Sequence, residues 1–216
     1  MSEIRLVDRD ERILREIDRW RVCQGRHIRE LAGFSGQRAC DRRLRKLMEA
    51  GYIKREKVLY GVAGIYRVTA KASKIIAGGL PSVNHKIRPE QITHDIAVLD
   101  STIFYSKKFE ISFDKITSEI QLHRLDGFGI RKHRPDFIFT KDGKVTCVEI
   151  ELTLKAKDRL ERNIKENFLT YDKQVWVVPS FNTKIAKTLE KYKTEYPNIE
   201  LIELDEIKTE ENEKHG

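Results

Sequence analysis

The dipeptide Asp142-Gly143 lies between two segments of alternating apolar and polar residues, and it limits the possible folds more than any other short feature. Asp-Gly favours the two-residue turn that joins adjacent antiparallel strands, because both turn positions need a positive φ. Such a turn also fixes the register, so the numbers of directly paired residues must add up to 285. The sequence therefore predicts a β-hairpin formed by residues 135–140 and 144–153.

This register brings charged residues together on one face of the hairpin. Asp136 lies opposite Glu149, and Arg134 lies opposite Glu151. Three carboxylates at this spacing repel one another unless a cation compensates them, so Asp136, Glu149 and Glu151 form a candidate Mg²⁺ site. The other face is apolar and carries Phe137, Phe139, Val148 and Ile150.

The segments around the hairpin alternate between helical and strand-like patterns. A long amphipathic helix is expected from Pro89 to about Lys107, because apolar residues recur there at helical spacing. Further strands are expected at 119–122, 174–178 and 199–204, and further helices at 155–169 and 182–196. The predicted order, α-β-β-β-α-β-α-β, indicates a mixed sheet flanked by helices.

The first 80 residues show a different pattern, with three short amphipathic helices followed by two strands. The helices are expected at 8–20, 26–31 and 35–50, with Asp8 and Ser35 as N-caps. The strands are expected at 52–58 and 65–69. Three helices followed by a basic hairpin form the order of a winged helix-turn-helix domain, and the run L-x-x-L-M-E-A-G-Y-I resembles the end of the recognition helix in bacterial winged-helix proteins.

The face of the third helix opposite its apolar stripe predicts contact with double-stranded DNA. It combines arginines with residues that can bond to base edges, as recognition helices do in a major groove. The basic residues of the hairpin are expected to meet backbone phosphates. The residues assigned to DNA binding are Gln37, Arg38, Arg42, Arg45, Lys54, Arg55, Lys57 and Arg67, and Asp41 lies among them.

The distribution of charge supports this assignment. Residues 1–80 hold 19 Lys and Arg against 10 Asp and Glu, whereas the rest of the chain holds 23 against 24. Fourteen of those 19 cations are arginines, whose planar guanidinium suits phosphates and guanine edges. The basic excess is local, which indicates a polyanionic partner for this part of the chain.

Other features exclude several classes of protein. No apolar run approaches the length of a membrane span and the N-terminus lacks a secretion signal, so we expect a cytoplasmic location with no membrane partner. Cys23, Cys40 and Cys147 have neither disulfide nor zinc spacing, and we expect them in the core. The pair Gly78-Gly79 followed by Pro81 predicts a linker. The expected domains are therefore 1–80 and 81–205, followed by a charged tail at 206–216.

The second domain resembles the PD-(D/E)XK nuclease-like fold, on the basis of Arg134-Pro135-Asp136, Glu149-Ile150-Glu151 and a downstream Lys155. The lysine expected two residues after Glu149 is Glu151 in this sequence. Together with His94-Asp95, Thr153 and Tyr171, the whole chain is similar to the replication-relaxation proteins of plasmids and integrative elements. That resemblance implies a winged-helix domain before a restriction-endonuclease-like domain, in an accessory protein of replication, relaxation or transfer.

Two interpretations of the acidic face stay open. In the enzymatic one, Asp136 and Glu149 hold Mg²⁺, Glu151 or the carbonyl of Ile150 completes its shell, and Lys155 orients a water molecule or stabilises the reacting phosphorus. In the inactive one, Arg134 neutralises Glu151 across the strands, and Asp136 is held by backbone or by a nearby lysine. We favour the inactive interpretation, because the lysine at the usual position is missing.

Three functions follow from these alternatives. The first is a non-catalytic DNA-binding accessory protein or regulator, which is the one we favour. The second is a Mg²⁺-dependent nuclease or nickase that uses Asp136, Glu149, Glu151 and Lys155. The third is an adaptor that recruits a relaxase or a replication protein, and a homodimer is compatible with all three.

Overall fold

The computed structural model describes residues 4–58, 60–76, 89–127, 129 and 132–207. Within these residues the protein is an α+β structure with two separate sheets. The chain divides into two compact units, Met1–Leu99 and Asp100–Gly216. The predicted linker at 78–82 and the tail from 208 onward lie outside the described residues.

Unit 1 combines helices with a small sheet. The sheet has three antiparallel strands in the order β1-β3-β2 among the residues described. The elements are α1 (Asp8–Trp20), β1 (Cys23–Gln24), α2 (Gly25–Leu31), α3 (Gln37–Glu49), β2 (Ile53–Glu56), β3 (Ile65–Val68), α4 (Ala70–Ile76) and the first part of α5 (Pro89–Phe109).

The three predicted helices bury the faces that their spacing indicated. Ile13, Leu14 and Ile17 of α1 are almost completely buried. The same holds for Ile28 and Leu31 of α2 and for Cys40, Leu44 and Leu47 of α3. Burial of each such side chain contributes on the order of 2 kcal/mol, so these stripes fix which helical faces remain outside.

The predicted caps of α1 and α3 were wrong. Val7, not Asp8, is the N-cap of α1, and its N–H donates to the carboxylate of Asp10 at 2.9 Å. Gly36, not Ser35, is the N-cap of α3. The short elements β1 and α4 were not predicted, and a strand of two residues is too short to show any periodicity.

The first part of α5 belongs to unit 1, although the sequence placed the whole helix in the second domain. Ile92 packs in one buried cluster with Val22 and Ile65, and Ile96 packs against that cluster. Unit 1 therefore extends to Leu99. The amphipathic pattern indicated the bounds of α5 well, but it carried no information about which core the helix joins.

Unit 2 contains a five-stranded mixed sheet in the order β4-β5-β6-β7-β8, counted over the described residues. The first three strands are antiparallel, and β6, β7 and β8 are parallel. The elements after α5 are a 3-10 turn (Phe113–Lys115), β4 (Ile116–Ser118), α6 (Glu119–Asp126), β5 (Phe137–Lys141), β6 (Lys144–Ile150), α7 (Lys157–Thr170), β7 (Lys173–Val178), α8 (Thr183–Tyr192) and β8 (Ile199–Glu203).

The hairpin register is confirmed. Phe137 pairs with Val148 and Lys141 pairs with Lys144, as a turn at Asp142-Gly143 requires. Both turn residues have positive φ, 51° at Asp142 and 75° at Gly143.

Helices cover both faces of this sheet. Tyr105 and Phe109 of α5 contact the ring of Phe139 on one face. On the other face, α7 and α8 pack against Trp176 and Val178 of β7. Glu149 is on β6 beside Trp176, so it lies on the face that α7 covers.

One predicted strand, 119–122, is a helix. Ser118 caps α6, since its hydroxyl accepts from the N–H of Gln121 at 3.4 Å and its own N–H donates to the Gln121 side chain at 2.9 Å. This reciprocal pair is a capping box, which the sequence pattern Ser-x-x-Gln could have indicated. The strand of this region is β4, just before the cap.

Two further observations concern the chain as a whole. None of the helices in the described ranges has the length and apolar character needed to cross a membrane. Cys23, Cys40 and Cys147 are buried and free, which confirms their predicted place in the core. Burial raises the pKa of the Cys23 and Cys147 thiols well above the ordinary value.

Candidate nucleic-acid interface and candidate active site

The outer face of α3 carries three exposed arginines. Arg38, Arg42 and Arg45 lie at positions i, i+4 and i+7, which places them along one side of the helix. In the described part of the chain, none of the three has a hydrogen bond, an ion pair or a ring contact. Their charges are therefore directed into solvent and form no ion pair with a carboxylate of the described residues.

Arg43, between two of these arginines, behaves differently. Its guanidinium forms an ion pair with Asp10, a carboxylate that is completely buried at the start of α1. The bond from Arg43 Nε to Asp10 Oδ1 measures 2.5 Å, and this hydrogen bond raises the pKa of Arg43. Since Asp10 also accepts the N–H of Val7, the pair fixes α3 against the beginning of α1.

Gln37 was predicted to contact DNA, and its side chain has a partner within α3. Its amide nitrogen donates to Asp41 Oδ1 at 2.8 Å. Both side chains lie close to Gly25 at the start of α2, where an added Cβ would be 3.2 Å from Gln37 Nε2. Gln37 thus holds Asp41 in place, and the outward face of α3 consists mainly of the arginines.

The structure does not bring the four hairpin cations together on one face. Lys54 pairs directly with Arg67 across the strands. Lys54 Nζ lies 2.5 Å from Glu56 Oε1, and Arg67 Nη1 lies 3.8 Å from Glu56 Oε2. Arg55 projects to the opposite side, because successive residues of a strand alternate. Its guanidinium lies 5.9 Å from the centre of the Tyr66 ring.

The Arg55 side of the hairpin adjoins α3. Tyr66, which is under Arg55, is buried, and burial raises its pKa, while the fields of Arg55 and Asp41 oppose each other at its hydroxyl. Its ring also lies beside Gly25, next to Gln37 and Asp41. The exposed cations of α3 and of this side of the hairpin therefore form one region, which we call the cationic surface: Arg38, Arg42, Arg45, Arg55 and Lys57.

A groove of about 890 Å³ extends this region toward the N-terminus. Five of its lining residues are cations. The guanidinium carbon of one of them, Arg9, lies 4.9 Å from the centre of the Phe34 ring. Only two of the lining residues, Asp8 and Asp10, are acidic. The groove is thus electropositive, and Arg42 belongs both to it and to the cationic surface.

In unit 2, each predicted active-site carboxylate has its own partner. Asp136 is half-buried and accepts the backbone N–H of Ile150 at 2.7 Å. Glu149 is buried, and its Oε1 accepts from the amide of Asn167 at 2.9 Å. Glu151 is 1% exposed, and Lys155 reaches it through its backbone N–H at 2.9 Å and through Nζ at 2.5 Å.

The ammonium of Lys155 lies in the field of all three carboxylates. Burial lowers its pKa, but Glu149, Glu151 and Asp136 act in the other direction and raise the pKa above its ordinary value. Burial raises the pKa of Glu151, and Lys155 only partly offsets this effect. Lys155 therefore lies beside the acidic residues as the enzymatic interpretation supposed, but its closest bond is to Glu151.

The predicted ion pair between Arg134 and Glu151 was wrong. Arg134 Nε donates to Asp126 at the end of α6, at 2.6 Å, and Lys132 reaches the same carboxylate at 2.6 Å. The hydrogen bond from Lys132 and the bonds from Arg134 lower the pKa of Asp126. The cation that pairs with Glu151 is Lys155, four residues along the chain.

His133 is a member of this cluster that the sequence did not indicate. Its Nε2 contacts Glu149 Oε1, and its backbone N–H donates to Glu166 at 2.9 Å. Asn167 and Glu166 are neighbours on α7, and Asn167 is 1% exposed. A signal for Asn167 existed, because Leu160, Asn163, Ile164 and Asn167 recur at i, i+3, i+4 and i+7.

The described residues of unit 2 do not fit a metal centre. In the ranges that the structure describes, no group of three or more His, Cys, Asp or Glu is arranged so that it could hold a metal ion. Asp136, Glu149 and Glu151 are instead each bonded to a different protein donor. This arrangement of side chains supports no catalytic step through a bound Mg²⁺.

Comparison of the chain with protein-family models, with curated proteins and with solved structures finds no match.

Proposed function

We propose that this chain is a double-stranded-DNA-binding accessory or regulatory protein whose unit 1 is a winged helix-turn-helix domain. In this proposal α3 is the recognition helix, and the β2-β3 hairpin is the wing. The single observation that carries the proposal is the row of three exposed arginines on α3, Arg38, Arg42 and Arg45, none of which has a partner in the described chain.

Unpaired arginines bind a phosphate at a lower cost in free energy than arginines that are already paired. An arginine that is already in an ion pair must break that pair before it binds a phosphate, whereas these three need only lose water. Binding of a cationic row to duplex DNA also releases the counterions condensed on the phosphates, which makes association favourable at low salt. Arg55 and Lys57 add two further exposed cations beside the helix.

We propose that unit 2 is not a catalyst but a nuclease-like domain that serves assembly or positioning. The support is that its buried carboxylates are already bonded to Asn167, to Lys155 and to backbone. The similarity to replication-relaxation proteins, which rests on sequence motifs alone, suggests replication, relaxation or transfer of a plasmid or mobile element as the process. A relaxase or replication protein is the corresponding partner for unit 2.

The proposal is tested by fluorescence anisotropy of a labelled mixed-sequence duplex titrated with the full chain. We expect the double substitution Arg42→Ala, Arg45→Ala to lower the affinity at least about a hundredfold, since each charge-assisted bond contributes about 1.5–3 kcal/mol. The matched control is Arg159→Ala, Arg162→Ala, which removes two arginines from α7. The control should bind as the unsubstituted chain does, and equal losses in both variants would contradict the proposal.

The role of unit 2 is tested separately with supercoiled plasmid DNA. Addition of Mg²⁺ or Mn²⁺ should leave the plasmid intact. Nicking that disappears in Asp136→Ala would instead establish the enzymatic alternative. Because DNA binding and cleavage are measured independently, failure of one part of the proposal leaves the other interpretable.

A further inference from the structure

The segment that joins β2 and β3 carries a tyrosine that contacts almost nothing. Tyr60 is 99% exposed, more than any other large apolar side chain in the described residues, including Phe181 at 85%. Gly61 follows it with a φ of 74°, so the chain turns sharply just after the ring. Covering the apolar faces of such a ring with a partner is favourable, because it removes apolar surface from water.

The surroundings of Tyr60 are apolar at the tip and cationic at the base. Val58 is 39% exposed, and residues 57–64 contain no carboxylate. A cavity of about 640 Å³ lies beside the segment, and it is lined by Arg55, Lys57 and the residues from Gly61 to Gly64. An apolar tip on a cationic base suits a partner whose surface is anionic outside and aromatic inside.

Duplex DNA has this arrangement, because phosphates border each groove and stacked bases form its floor. Arg55 lies over Tyr66 and is part of the cationic surface, so the base of the hairpin and α3 contribute cations to the same surface. When these cations contact phosphates, a side chain at the tip of the hairpin reaches further, into the adjacent groove. Apolar and aromatic side chains in minor grooves act as wedges that partly unstack a base step.

We propose that Tyr60 inserts into the minor groove of DNA bound at the cationic surface and stacks its ring against a base pair. This inference rests on the proposed DNA-binding function and goes beyond it. The arginines and lysines supply a contribution to affinity that depends on salt, whereas the tyrosine supplies one that does not, because stacking releases no counterions.

The test compares Tyr60→Ala and Tyr60→Phe with the control Phe181→Ala, which removes an exposed aromatic ring from unit 2. The ligand is a duplex enriched from a random pool by the unsubstituted chain. Tyr60→Ala should weaken binding about ten- to hundredfold at every salt concentration, as alanine substitution of a stacking residue does. Tyr60→Phe and Phe181→Ala should bind normally, and the slope of log K against log salt should be the same in all variants.

A second readout reports on the bases themselves. 2-Aminopurine is placed at successive positions of the selected duplex, and its fluorescence rises where a base loses its stacking neighbour. The unsubstituted chain should produce one bright position that Tyr60→Ala abolishes. An unchanged affinity and fluorescence pattern in Tyr60→Ala would overturn the inference. The inference would also be overturned if Tyr60→Ala changed only the self-association of the protein, measured by analytical sedimentation.

These outcomes separate the two proposals. If the unsubstituted chain fails to bind duplex DNA, the proposed function itself is wrong. If the chain binds and Tyr60→Ala binds equally well, the proposed function stands and only the insertion of Tyr60 is rejected. Folding is not at issue, because a side chain that is 99% exposed contributes little to the core.

Discussion

The two units use their charged side chains in opposite ways. On α3 of unit 1, Arg38, Arg42 and Arg45 are exposed and have no partner among the described residues. In unit 2, Glu149 and Glu151 are buried, and each is bonded to a nearby donor. An outward charge contributes little to folding and stays available for binding, whereas a buried charge is committed to its partner, and loss of that partner alone is costly.

Adjacent residues of α3 provide the strongest test of this comparison. Substitution Arg43→Leu leaves the completely buried Asp10 without its cation and should lower the free energy of unfolding by about 4 kcal/mol. Arg42→Ala should change it by less than about 0.5 kcal/mol, because the side chain is exposed and unpaired.

Each unit contains one tryptophan, so the stabilities can be measured separately. Trp20 reports on unit 1 when Trp176 is replaced by phenylalanine, and urea denaturation then gives the unfolding transition of that unit alone. Arg42→Ala should keep the stability of the unsubstituted chain but bind DNA weakly. Equal destabilisation by Arg43→Leu and Arg42→Ala would contradict the claim that paired and exposed arginines of α3 differ in their contribution to stability.

The second test removes the cation beside the acidic residues of unit 2. Lys155→Met removes the ammonium that pairs with the buried Glu151 and leaves that carboxylate with only the backbone N–H of residue 155, so it should lower the free energy of unfolding by about 3 kcal/mol. The double variant Glu151→Leu, Lys155→Met should recover most of this loss, since it removes both charges. Urea denaturation is followed by circular dichroism, and unchanged stability together with lost DNA binding would mean that Lys155 contacts DNA instead.

The third test uses pH, and a smaller effect is expected. Burial raises the folded-state pKa of Glu151 above its ordinary value of 4.5. At a pH between the pKa of Glu151 in the unfolded state and its higher pKa in the folded state, the folded state binds more protons than the unfolded state. Stability therefore falls as pH rises through this window. Glu151→Gln lacks this contribution, so the unsubstituted chain should lose stability relative to this variant from about pH 4.5 upward.

Below that window both forms of residue 151 are neutral, and the difference in stability between the two proteins should be constant. Above the folded-state pKa it should be constant again. Thermal unfolding over a pH series measures the difference. A loss of stability by the unsubstituted chain on lowering the pH through this window, relative to the variant, would show that the pKa is lowered.

The smallest effect is expected at the hairpin. An added Cβ at Gly64 would lie 2.7 Å from Arg55 Nε, which is part of a flexible side chain that can move. Gly64→Ala should therefore fold with nearly unchanged stability, displace Arg55 from Tyr66, and weaken DNA binding about threefold. Anisotropy measures the affinity, and Gly36→Ala, which meets no atom within 4 Å, is a control for the added methyl group at another glycine.

The parts of the fold that the sequence predicted are those governed by local periodicity. The apolar stripes of α1 and α3 and the register set by Asp142-Gly143 follow from spacing alone, and the structure confirms them. The strand predicted at 119–122 was wrong, because the prediction overlooked the capping box of Ser118 and Gln121. The assignment of early α5 to unit 1 depends on the contact of Ile92 with Val22 and Ile65, which no local pattern encodes.

The candidate site in unit 2 was predicted in position but not in its bonds. The hairpin register placed Asp136 and Glu149 near each other correctly, since strand pairing is regular. Side-chain partners are chosen by competition in space, and Lys155 lies closer to Glu151 than Arg134 does. The contact of His133 with Glu149 could not be predicted, because His133 lies in a loop, where sequence spacing does not indicate where a side chain points.

The central claim is that the unpaired arginines of α3 bind DNA phosphates, and the salt dependence of binding tests it most directly. Log K is measured against log salt for the unsubstituted chain and for Arg38→Ala, Arg42→Ala, Arg45→Ala combined. If all three contact phosphates, the slope should become less steep by about 2.7, at about 0.9 for each contact. A slope that stays the same in the triple variant would contradict the account.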